Sequence, residues 1–281
     1  MVHVLDESLI LAPDAPPPAF LPRSQYVARY RSAGRRLSFV AVHHMVTAGS
    51  RAASLARREC DLLSPEEVIV EGWSSADEAA SRRMIERLRT TPLEGRERWG
   101  ESMHTAALAL ERGITVVGGE APPAVQRSAF AAGGRGDEDM LGYFVLRGIS
   151  MWVVQKRLEN EPFDDVCAEY LGWVVPEYAP DLRGRFSAGE FHRWFVRRFG
   201  QPFPEGPYEP EDGVLPWWWT DPLVQKLFRI DSRTRDVFLA GVIARSLESH
   251  HRVVVVYGAG HHATLHRVLS QMLGEPEIVG E

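Results

Sequence analysis

The chain has 281 residues, 44% of them hydrophobic, enough for one large domain or two small ones with a buried core. Its 32 basic residues against 38 acidic ones leave a formal charge of -6, so a nucleic-acid partner held by phosphate neutralisation has no compositional support. Only two cysteines occur, Cys60 and Cys167, without metal-type spacing; this argues against a disulfide framework or a thiolate metal centre and suggests core or free thiols.

The first twenty residues lack a basic leader followed by a long apolar core, and no run approaches the roughly 18 to 20 apolar residues of a membrane span. The expectation is a cytoplasmic protein without a membrane partner. Pro13, Pro16, Pro17, Pro18 and Pro22 deny backbone donors and favour extended chain, so residues 1–36 are expected to form an N-terminal arm. A single α/β domain is then expected over residues 37–281.

Within it, apolar SFVAVHH, helical AASLARRECDLL, apolar EEVIVEG, helical residues 77–112 and apolar ITVVGGE alternate. Short β-branched runs separated by helices favour parallel pairing, because parallel strands need a crossover that a helix supplies. Helices are expected over residues 138–160 and 162–171. Residues 172–220 carry seven prolines and the run Trp217-Trp218-Trp219, which suggests an inserted lid with one short helix at 188–198. A helix over 221–249, with a break near Ile230, the strand RVVVVYG and the helix HATLHRVLSQML complete the domain.

Open α/β sheets bind ligands at the carboxyl ends of parallel strands, where loops and helix amino termini converge. Four apolar runs here finish in titratable groups: His43 and His44, Glu71, Glu120 and His261. Taken singly, each is more often a helix cap or a satisfied structural group. Their recurrence favours one site. Gly258 and Gly260 would let the chain turn closely before His261, and the free amides of the next helix could hold an oxyanion.

Arg235 and Asp236 lie beside the apolar face of Val237, Phe238, Ala240, Val242 and Ile243. A guanidinium suits a carboxylate, an oxyanion or a partner glutamate, and a plain helix salt bridge is an equal alternative. Glu101 opens a helix and is a secondary candidate, although any first helical turn favours acidic residues. His262 and His266 are four apart on one helix side, where a solvated face is the expectation over a second metal site. Trp73 and Trp217, Trp218 and Trp219 could line an apolar substrate, or the tryptophan run could lock the lid in place.

The order of these motifs resembles the Tiki, TraB and erythromycin-esterase superfamily, whose ChaN-like members are associated with haem. The late turn Gly258-Ala259-Gly260-His261, the pair Arg235-Asp236 before an apolar helix, and the glutamates of VIVEGW and VVGGEAP correspond to its elements. The first turn departs: Ala41 stands where glycine is typical, and His43 competes with His44, which keeps the three-residue spacing. The resemblance implies paired β-sheets flanked by helices and hydrolysis of an ester, lactone or peptide bond in a small molecule or peptide, with the lid expected at 172–220 inserted in that helical core.

No Gly-x-Ser-x-Gly elbow or catalytic cysteine signature is present, so water is the expected nucleophile. His44, held by Glu71 or Glu120, would take its proton while Arg235 and His261 serve the oxyanion. A divalent metal held by His44, Glu71, Glu120 and His261 is the other version of the same site. A haem-binding protein, or an enzyme of elimination or cyclisation, are the rival functions.

Overall fold

The computed structural model describes residues 5–22, 24–42, 51–92, 99–204, 206 and 216–280. The chain divides into two compact units, one formed by Met1–Pro122 with Ser232–Glu281 and the other by Pro123–Asp231.

The first unit is built on one six-stranded sheet. Its strands are β1 (Tyr26–Ser32), β2 (Arg35–Val42), β3 (Glu67–Val70), β4 (Thr115–Gly118), β5 (Arg252–Gly258) and β6 (Glu277–Gly280), in the order β4-β3-β5-β2-β1-β6. β4, β3, β5 and β2 are parallel neighbours, and β1 is antiparallel to both β2 and β6. The helices α1 (Arg51–Leu63), α2 (Glu78–Thr90) and α3 (Glu101–Glu111) connect the parallel strands, as the spacing of apolar runs predicts.

β5 alternates between two cores. Val254 and Val256 pack with α1 and α3 residues such as Leu55, Cys60, Ala106 and Ala109. Val253, Val255 and Tyr257 pack with Leu239 and Ile243, and with Leu265 and Leu269. The latter belong to α9 (Pro222–Ser249) and α10 (Ala259–Leu273). The central valine run is therefore covered on both faces, and a strand so placed needs apolar residues throughout.

Two expectations change here. The ordered sheet starts at Tyr26, inside the arm expected over 1–36, because the turn at Ala33 and Gly34 (φ 47° and 81°) folds β1 back on β2. Paired sheets are replaced, among the described residues, by one mixed sheet: the β1–β2 hairpin and β6 extend its edge instead of forming a second layer.

The second unit is wider than a lid at 172–220. It holds α4 (Pro123–Ala132), α5 (Asp137–Val154), α6 (Arg157–Asn160), α7 (Phe163–Tyr178), α8 (Ala188–Phe199) and the first turns of α9. α7 runs past Leu171 to Tyr178 and contains Pro176 within its last turn. α9 is continuous through Ile230, and the boundary between the units lies within it. The core of this unit is aromatic, with Trp152, Phe191, Trp194, Phe195 and Phe203 buried. Trp218 is part of that core and Trp219 packs against it, whereas Trp217 stays 42% exposed. The tryptophan run is thus largely structural; burial of Trp218 removes it from a substrate wall. Both cysteines are free and buried, as expected, with burial raising Cys60 to about 11 and Cys167 to about 12.

His262 does not lie on a solvated face. It is fully buried, its Nδ1 and Nε2 each 2.8 Å from a phenol, of Tyr26 and Tyr30 respectively, and its ring is 4.9 Å from that of Phe39. Burial, aided by His266, lowers its pKa from 6.5 to about 3, and the neutral ring can accept from one tyrosine and donate to the other. His266, also buried, bonds the Ala263 carbonyl at 2.9 Å.

Because the folded pKa is depressed, the unfolded state binds the extra proton first, so this contribution is complete above the unfolded pKa and declines as pH falls toward the folded one. Denaturant unfolding should show wild type losing roughly 1.6 kcal/mol from this group between about pH 6.5 and 5. His262→Gln should lack that part of the slope; parallel pH profiles would show that the ring is not held neutral.

Candidate functional site

The parallel strands end along one edge of the sheet, and three of the expected groups meet there. Arg235, on α9, donates from Nε to Glu120 Oε2 at 2.9 Å and from Nη2 to Glu120 Oε1 at 2.7 Å. Nη2 also donates to Glu71 Oε1 at 2.5 Å. The three side chains retain only 13 to 16% of their exposure. Burial works to lower the Arg235 pKa, but Glu120 and Glu71 outweigh it and hold the guanidinium charged well above its ordinary range. Nη1 takes no part in these bonds and meets no other partner among the described residues.

Neither glutamate is a helix cap. The cap of α2 is Asp77, which accepts from the Ala80 N–H at 2.9 Å. Glu71 instead accepts through Oε2 from the Gly258 N–H at the end of β5, at 2.9 Å. Gly258 itself has φ -52°, open to any residue, and Gly260 is already helical with space around it. The glycines that matter sterically precede Glu120. A Cβ on Gly118 would fall 2.6 Å from Trp73 Cδ1 and Nε1, and one on Gly119 would fall 3.0 Å from Leu239 Cδ1 and Tyr257 Cε2. The segment after β3 closes over this turn: Glu120 N–H donates to the Trp73 carbonyl at 3.1 Å and Gly118 N–H to Ser75 Oγ at 2.6 Å. Trp73, 7% exposed, is therefore a wedge that places Glu120, with an exposure too small for a substrate wall.

One residue beyond Arg235, Asp236 is almost fully buried and bonds His261 Nδ1 through Oδ1 at 2.6 Å. The sequence ranks Asp236 as secondary; it is the residue that orients the histidine. Nε2 of His261 has no partner among the described residues. Tyr257, which sequence reasoning passed over as the end of an apolar run, joins the two halves. Its ring lies 4.9 Å from His261 at 90°, and the Arg235 Cζ lies 6.0 Å from the ring centroid. Burial, reinforced by Glu120, pushes the Tyr257 phenol well above its ordinary pKa, so it stays protonated.

Glu101 is buried on α3, which covers the other face of the sheet from Arg235 and His261. β2 ends at Val42, paired with Gly258, and His43 and His44 lie outside the described residues. Among the described residues, no group of three His, Cys, Asp or Glu side chains could hold a metal ion. Among the described residues, no helix is long and apolar enough to cross a membrane. Comparison of the chain with protein-family models, curated proteins and solved structures found no match.

Arg235→Met would leave two buried carboxylates facing each other, and removing one partner of such a cluster costs about 3 to 5 kcal/mol. Denaturant titration is expected to show a loss of that size, with Arg235→Lys recovering only part because an ammonium cannot form the bidentate pair. Gly118→Ala should also destabilise, by about 2 kcal/mol or more, since the new methyl displaces Trp73; unchanged melting would show that the turn can give way.

Proposed function

We propose that the strand-end cluster is a hydrolytic site that cleaves an ester, lactone or peptide bond with water as the nucleophile. The observation that carries this reading is the 2.6 Å bond from Asp236 to His261 Nδ1, which turns Nε2 away from the carboxylate as the proton-transfer atom. The resemblance of the motif order to that of the Tiki, TraB and erythromycin-esterase superfamily points the same way.

In this scheme His261 Nε2 takes a proton as water oxygen bonds to the acyl carbon. Arg235 Nη1 donates to the carbonyl oxygen as it becomes an oxyanion, and its fixed charge requires no reorganisation at that moment. The bond to the leaving oxygen or nitrogen then breaks, and that atom takes the proton from Nε2. Glu71 and Glu120 act as positioning residues, because their oxygens hold Arg235 and the start of α10. His44 is the alternative base in the same scheme.

The test is turnover of a p-nitrophenyl ester, a macrocyclic lactone and a fluorogenic peptide, with the product mass recorded. Hydrolysis adds one water. His261→Gln and Asp236→Asn should each lower kcat by about 100-fold to 10,000-fold on the probe that turns over. Loss in His44→Ala with full turnover in His261→Gln would transfer the base to His44. A product without added water would overturn hydrolysis.

A further inference from the structure

A groove of about 340 Å³ lies on the α9 face of the sheet, away from the Asp236–His261 pair. Its floor is made by Glu67 at the start of β3 and by Val117 and Gly118 of β4; its wall is Phe238, Val242, Arg245, Ser246, Ser249 and His250. Phe238, Val242, Arg245 and Ser249 recur at intervals of three and four, so they form one stripe along the helix.

The polar groups of this groove are unlike those of a packed core. Glu67 keeps only 7% of its side-chain exposure, and its Oε1 is buried without a hydrogen-bond partner. The Nδ1 of His250 is likewise buried without a hydrogen bond; it lies 3.8 Å from Glu67 Oε2, an ion-pair contact when the ring is protonated but too long for a hydrogen bond. Such groups are costly unless something meets them. Arg245 is exposed and forms no ion pair among the described residues. Acceptors and a free guanidinium therefore lie toward the C-terminal end of α9, and apolar Val242 and Phe238 lie on the side leading back to its middle.

We propose that this groove binds a free α-amino acid with a large apolar side chain. The ammonium has three N–H donors and meets Glu67 Oε1 and His250 Nδ1; the carboxylate pairs with Arg245; the side chain lies against Val117, Val242 and Phe238. This assignment is independent of whether the strand-end cluster hydrolyses anything.

Calorimetric titration of the full chain tests it with L-leucine and L-phenylalanine as probes. 3-Methylbutylamine and 4-methylpentanoate are the matched compounds lacking carboxylate and ammonium. Saturable binding of at least one amino acid is expected, with both matched compounds binding at least about tenfold more weakly, as loss of a charge-assisted bond requires.

Glu67→Gln should weaken the amino acid by about tenfold or more. Arg245→Gln should weaken the amino acid while leaving 3-methylbutylamine unchanged. Ser249→Trp, at an exposed position of the wall, should block binding with the melting temperature unchanged, and it carries the test if Glu67→Gln does not fold. No saturable binding of either amino acid, equal binding by a matched compound, or full affinity in Ser249→Trp would each overturn the proposal.

Discussion

Arg235 carries a full charge at 13% exposure, and everything at the sheet edge is arranged around keeping it there. A buried guanidinium must be met by opposite charge, and two strand ends supply it: Glu71 after β3 and Glu120 after β4. Because Glu71 also holds the Gly258 amide, the same cluster joins the end of β5 and the start of α10. One helix residue thereby sets the spacing of three neighbouring strand ends.

The next residue extends the same helix to the histidine. Consecutive residues on α9 point about 100° apart, so Arg235 reaches toward β3 and β4 while Asp236 reaches His261 on α10. Tyr257 fills the angle between them with a ring that touches both. α9 continues past this cluster with the stripe that lines the groove, so one helix carries the polar tethers and the wall of a separate cavity.

His261 and His262 show how far two adjacent identical residues can diverge. The helix turns one toward Asp236, with Nε2 left over, and the other into the core between Tyr26 and Tyr30. There the low dielectric forces His262 to stay neutral. The difference lies wholly in the helix phase relative to the sheet.

Periodicity made much of this legible. The β-branched runs announce β2 through β5, the intervening helical patterns announce parallel crossovers, and strand-end position singles out Glu71, Glu120 and His261. Charge chemistry adds Arg235. What the sequence could not reveal depends on partners distant in the chain. β1 is hidden among prolines and arginines until it pairs with β2; Trp73 looks like a substrate-lining aromatic until it covers Gly118; Asp236 looks like half of a helix salt bridge until α10 brings His261 to it. Residue type and local period determine which groups seek burial or a partner. Only the tertiary packing decides which partner each one meets, because hydrogen bonds and ion pairs act over a few ångströms and those contacts exist only once the chain has closed on itself.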